Sequence, residues 1–348
     1  MPRSKRDKYV KSMHQQAYEK FNSMLAIGES KKKAKEDGSY RRKIFSFNTY
    51  KAYMRNVDWF LDWVKKNYPD CTTIKRARQY TREWLEHYAN TPDSHGEYRS
   101  AWTVQTAAKA VGKLYWITPD DPDYYEPPKR ERKNIKRSRT TVKRDANFSI
   151  TNNDELIKFC RGTGLRRREL AALKADQLRT KDELQEELKQ LELKPANELT
   201  EEELKTIKIL KDALAFENEE FFIYVLKAKG GRDRISPIIG KYQGQIIERI
   251  RNTPSDKKVW QKIHSAADIH SYRSDYAVAI YKEYAREIAD IPYDEVNKGS
   301  GKKYQSEVYT CRNDEAGRKM DRKAMIMGTK ALGHNRLEII ANNYIRGL

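Results

Sequence analysis

The sequence predicts a mainly α-helical protein with a small β-sheet or hairpin component, an α+β chain of two domains. Three observations lead there. Apolar residues recur at three- and four-residue steps through most of the chain, the period of amphipathic helices. One stretch, "EFFIYVLKAKGGRDRISPII", changes to β-branched and aromatic residues around a Gly-Gly turn. The 348 residues exceed one small core, and the 38% that are hydrophobic suffice to fill two.

Taken in order, residues 1–43 are basic and low in bulky apolar side chains, as in "SKKKAKEDGSYRRK". They are expected to be a basic N-terminal segment, solvated or lying on phosphates, or else a basic helix. From residue 44 the pattern changes. "SFNTYKAYMRNVDWFLDWVKKNY" places Tyr50, Tyr53, Val57, Phe60, Leu61 and Val64 on one helical face, with Ser46 or Asn48 as N-cap and Pro69 ending it. "TIKRARQYTREWLEHYAN" repeats the pattern with Ile74, Tyr80, Trp84, Leu85 and Tyr88. "SAWTVQTAAKAVGKLYWI" adds Trp102, Val104, Ala108, Val111 and Tyr115. An all-helical domain over 44–126 follows.

Residues 127–147 open with two prolines and then carry Lys129, Arg130, Arg132, Lys133, Lys136, Arg137, Arg139, Lys143 and Arg144. So dense a charge run with almost nothing apolar is an extended connector, suited to following a phosphate backbone. The second domain spans 148–348. Its first part reads helix, glycine turn at Gly162 and Gly164, helix. Residues 180–217, rich in Leu, Glu and Lys and broken at Pro195, read as a helical hairpin outside the core, with Thr200 and Glu203 as a capping box. The β-hairpin at Gly230-Gly231 comes next, then the helix "SYRSDYAVAIYKEYAREI". A second insertion, 291–322, is expected to contain another hairpin around "YQSEVYTCRNDEAGRK".

Seventy Lys and Arg against fifty Asp and Glu leave a net charge of +20, which attracts a polyanion, nucleic acid first. No apolar run approaches the ~20 residues of a membrane span, and the first residues lack a secretory h-region. Cys71, Cys160 and Cys311 lie far apart, so neither a disulfide framework nor a zinc site is expected. A reducing cytosol fits, and each cysteine reads as a small buried hydrophobe.

Four boxes in the second domain carry chemistry. "TGLRRREL" sets Arg166 behind a glycine turn, where it can be aimed into a cleft, with Glu169 three residues on to orient it. "KAKGGR" puts Lys229 beside the hairpin turn, with Lys227 two positions earlier on the same strand face. "HSYR" pairs His270 with Arg273 at helical i, i+3 spacing. "LGHNRLEIIANNY" sets His334 ten residues before Tyr344. Each box alone has an ordinary structural explanation: solvated arginines, a turn lysine, a capping histidine, a tyrosine filling a groove.

Their order, Arg, Lys at a β-turn, His-x-x-Arg, Leu-Gly-His and a late Tyr, resembles the tyrosine recombinases, the phage integrase family, from about Lys43 to Leu348. Within it the chain is most similar to integrases of conjugative elements and phages of Gram-positive bacteria. The resemblance implies a helical core-binding domain and a catalytic domain forming a C-shaped DNA clamp. It implies a site-specific recombinase that cleaves DNA through a 3′-phosphotyrosine and integrates or excises a mobile element by way of a Holliday junction. Tyr344 would be the nucleophile, Arg166 and Arg273 would grip the scissile phosphate, and Lys229 would protonate the leaving 5′ oxygen. His270 and His334 would be base and phosphate donor, with Glu169 as structural support. The partners implied are double-stranded attachment-site DNA, three further copies in a tetramer, and an excisionase or host DNA-bending protein. No metal or other cofactor is implied, because the ester retains the bond energy. The location implied is the bacterial cytoplasm, at the nucleoid. Two other readings stay open: a type IB topoisomerase or telomere resolvase with the same chemistry, and a non-catalytic or decayed DNA-binding protein akin to a replication initiator.

Overall fold

Helix α1 (Met13–Asn22) begins four residues' worth of spacing at a time: Met13, Ala17 and Phe21 form a narrow buried stripe on an otherwise polar helix, capped by Ser12. A helix was one of the expectations for this segment, but its burial replaces the solvated alternative. The apolar positions are few, but their spacing of four puts all three on one face, and that face enters the first core beside Val57 and Phe60. In the computed structural model, residues 11–131, 148–228, 232–296, 306–312, 315–345 and 348 are described. The chain divides into two units, 1–136 and 137–348. Most of the expected connector lies outside the described residues.

In the first unit, α2 (Lys31–Glu36) is followed by a parallel bridge of Leu25 with Ile44, and then by α3 (Phe47–Asn67) with Ser46 as its N-cap. Val57, Phe60, Leu61 and Val64 of α3 are fully buried. The second expected helix is two: α4 (Ile74–Ala77) and α5 (Thr81–Asn90), joined by a 3-10 turn at Arg78–Tyr80. Arg78 fixes that turn by donating to Asp121 at 2.5 Å and Asp123 at 2.7 Å. Helix α6 (Ala101–Tyr115) buries Val104, Ala107, Ala110, Val111, Leu114 and Tyr115, a face rotated from the one expected, with Trp102 and Ala108 only half-buried. Small alanines there let α6 approach α3 closely.

The second unit opens with α7 (Asp154–Thr163), a left-handed Gly164, and α8 (Arg167–Ala172). Its sheet is antiparallel in the order β1 (Leu178–Thr180), β2 (Phe221–Ala228), β3 (Arg232–Pro237). Strand side chains alternate between faces, and here both faces are apolar. Phe222 and Ile235 pack with Tyr276, Ile340 and Tyr344 on one side, Ile223 and Val225 with Leu165, Leu170 and Ile246 on the other. Strands β2 and β3 pair as expected, with Ala228 opposite Arg232 as their last pair, while the turn expected at Gly230-Gly231 lies outside the described residues. Strand β1, too short to show alternation, was not expected.

Between β1 and β2 run α9 (Lys181–Glu192) and α10 (Glu201–Leu214), with Thr200 and Glu203 in the expected capping box. The hairpin does not lie outside the core, as its charge suggested. Leu184, Leu210, Ala213 and Phe216 are wholly buried in the same apolar layer as Tyr344, because one leucine stripe suffices to seat it. Helix α11 (Gln243–Arg251) leads to α12 (Ile269–Tyr284) and the short α13 (Tyr293–Val296). The second insertion does contain a hairpin, β4 (Val308–Thr310) with β5 (Lys319–Asp321). Arg286 fastens it by donating to Asp321 at 2.8 Å and Glu307 at 2.9 Å. Helices α14 (Arg322–Leu332) and α15 (Leu337–Asn343) complete the unit. The three cysteines are buried. Among the described residues no helix is long and apolar enough to cross a membrane, and no side-chain group could hold a metal ion.

Candidate active site

Gly164 ends α7 at φ +58°, and a Cβ there would lie 2.3 Å from the Tyr276 ring. Only glycine meets both conditions, and the turn it makes delivers Arg166 to the N-terminus of α8. Glu169, one turn into α8, accepts from the Arg166 backbone N–H at 2.8 Å and from its Nη1 at 2.6 Å. Glu169 thus holds both the backbone and the guanidinium of Arg166.

Arg273 projects from α12 into the centre of the unit and is 1% exposed. A buried guanidinium needs acceptors. It donates Nη1 to the Gly164 carbonyl, Nη2 to the Leu332 carbonyl at 2.6 Å, and Nε to the Tyr344 hydroxyl at 3.4 Å. Arg166 Nη2 approaches the same Leu332 carbonyl at 3.5 Å. Burial, then the neighbouring charge of Arg234, pulls the Arg273 pKa down to about 10, still far above neutrality.

The Leu-Gly-His box is the end of α14. Gly333 takes the left-handed C-cap conformation at φ +65°, and the chain then turns so that His334 faces α15. His334 Nε2 lies 3.3 Å from the Tyr344 hydroxyl. Tyr344 caps α15 and is 9% exposed. The His270 ring, one turn before Arg273 on α12, is 5.4 Å from the Tyr344 ring, and the His334 ring is 5.3 Å away. Arg166, Glu169, His270, Arg273, His334 and Tyr344, spread over 179 positions of sequence, thus gather in one place. Of the remaining expected site residues, Lys229 lies outside the described residues, as do Arg132, Lys133, Lys136, Arg137, Arg139, Lys143 and Arg144. Lys129 and Arg130 are described, and the Arg130 guanidinium sits over the Trp102 ring at 5.8 Å.

One residue escaped the sequence reading. Arg234, 5% exposed on β3, donates Nη1 to Glu169 Oε1 at 3.0 Å and Nη2 to Oε2 at 2.8 Å. Its signal was only an arginine inside a strand-like segment. Burial alone would raise the Glu169 pKa; the Arg234 bonds and charge, with help from Arg166, outweigh it and hold the carboxyl at about 2. Glu169 is therefore ionised across the physiological range and unsuited to proton transfer.

Three guanidiniums against one carboxylate leave the cluster positive around a phenol. Such a site favours an anion with several oxygens, since arginine charge does not titrate away and its planar fork matches phosphate. The Tyr344 phenol has a guanidinium and an imidazole within hydrogen-bond reach. No family model matches this chain, and no curated protein matches it.

Proposed function

We propose that the chain is a site-specific DNA recombinase of the tyrosine type, an integrase that cuts and rejoins DNA without an external energy source. What supports this most directly is the Tyr344 hydroxyl, held 3.4 Å from Arg273 Nε and 3.3 Å from His334 Nε2 beside Arg166. In this reading the scissile phosphate enters against Arg166 and Arg273, which stabilise the charge that grows on its non-bridging oxygens. His270 or His334 takes the phenolic proton, and the Tyr344 oxygen attacks phosphorus. The 5′ oxygen leaves with a proton from Lys229, giving a 3′-phosphotyrosyl ester and a free 5′ hydroxyl. Attack by a partner strand's hydroxyl reverses the ester, and two such rounds separated by a Holliday junction exchange both strand pairs.

Four copies on two attachment sites complete the reaction, with the helical unit, the connector and the catalytic unit clamping the duplex. An excisionase or host DNA-bending protein sets direction. The setting is the cytoplasm of a bacterium, at the nucleoid. The net charge of +20 supplies sequence-independent affinity for the phosphate backbone.

The test is a set of nicked suicide duplexes tiled from the DNA flanking the gene, incubated with the protein without Mg²⁺. A covalent protein–DNA band that vanishes in Tyr344→Phe is expected. No band on any duplex, or a band that survives the substitution, defeats the proposal.

A further inference from the structure

We propose that Arg234 is the positioning residue of this site, clamping Glu169 so that Arg166 is aimed, and tying strand β3 to the Leu-Gly-His turn. The inference rests on the recombinase reading above. Both oxygens of Glu169 are shared. Oε1 accepts from Arg166 Nη1 at 2.6 Å and from Arg234 Nη1 at 3.0 Å. Oε2 accepts from the Arg166 backbone N–H at 2.8 Å and from Arg234 Nη2 at 2.8 Å. A carboxylate gripped by a planar fork cannot swing, so the Arg166 guanidinium is held on a fixed base. The third nitrogen of Arg234, Nε, donates to the Ala331 carbonyl at 3.3 Å, at the end of α14.

The same side chain packs on the turn that follows. A Cβ added to Gly333 would lie 2.7 Å from Arg234 Cδ, so glycine at that position makes room for the arginine as well as for the left-handed turn. That turn carries the Leu332 carbonyl, which accepts from Arg273 and Arg166, and His334, which reaches Tyr344. One side chain therefore connects the elements that carry the first arginine and the second histidine.

Arg234 does not itself hold the phosphate. All three of its nitrogens have protein acceptors, and its side chain is 6% exposed against 23% for Arg166, whose Nη2 has, among the described residues, the 3.5 Å contact alone. Arg166 faces the entering anion; Arg234 lies beneath it.

Single-turnover cleavage of the suicide duplex and equilibrium binding to it, measured across pH, decide the matter for Arg234→Lys, Arg234→Met, Glu169→Gln and the double variant Glu169→Gln with Arg234→Met. Arg234→Lys keeps the charge and loses the fork; its cleavage rate falls about 100-fold, the cost of a small misplacement at a reacting centre, with affinity within about threefold. In Arg234→Met, Glu169 stays buried without its larger counter-charge and its pKa rises. The ratio of its rate to the wild-type rate then falls as pH is lowered, beyond the acid limb that an imidazole base gives both proteins. The double variant, which leaves no buried carboxylate unpaired, folds and cleaves no more slowly than the worse single one. It decides the outcome if a single variant fails to fold. Wild-type rates, additive losses, or an affinity loss matching the rate loss overturn the role while the recombinase reading stands. A wild type that forms no Tyr344 adduct fells both.

Discussion

Gly164 shows how much of the site depends on a missing side chain. Its φ of +58° strains any other residue, and its Cα faces the Tyr276 ring so closely that a methyl group would lie 2.3 Å from Cδ1. Tyr276 cannot retreat, since it is wholly buried and its hydroxyl donates to the Pro237 carbonyl at 2.8 Å. The Gly164 carbonyl in turn accepts from Arg273. Gly164→Ala is expected to destabilise the protein by roughly 2–5 kcal/mol through backbone strain and overpacking together, read from denaturant midpoints. A loss under about 0.5 kcal/mol, typical of an ordinary surface site, would show that the ring has room to move. The legible part at this scale was residue type and order. Arg166, Arg273, His334 and Tyr344 were named because the order of their boxes resembles the tyrosine recombinases. Arg234 was not, because its partner lies 65 positions away and nothing local marks it as buried.

Among the elements, the α9–α10 hairpin is the one whose sequence misleads. Its charged residues outnumber its apolar ones, and its two capping boxes would stabilise it as a surface appendage. Yet Leu210, Ala213 and Phe216 are completely buried beside β3 and α14. Leu193, at the hairpin's tip, is 76% exposed. Leu210→Ala should therefore cost about 2–5 kcal/mol, whereas Leu193→Ala should stay within roughly 0.5 kcal/mol. Equal small effects in chemical denaturation would return the hairpin to the status of an attachment. Helix α1 makes the same point: three apolar residues in ten are enough when they share a face. Strand β1, at three residues, falls below the length at which alternation can be seen.

At the scale of the whole molecule, the charge of +20 acts through its sum. If phosphate neutralisation dominates binding, affinity for a duplex of unrelated sequence should fall at least about 10³-fold between 50 and 200 mM salt, measured by fluorescence anisotropy. A shallow slope would remove the polyanion from the reading. The order of the boxes, through the resemblance it carries, picked out the residues around Tyr344, while the sequence by itself determined the mainly helical class with its small β component, the cap at Thr200 and the pairing of β2 with β3. Those follow from local rules, in which period, turn chemistry and side-chain type are written within a few neighbouring positions. Only the tertiary structure decided that α1 and the α9–α10 hairpin are core, that β1 extends the sheet, and that Arg234 locks Glu169. Each of these depends on which distant face a residue meets, and burial of a charge is favourable only once its opposite arrives from elsewhere in the chain.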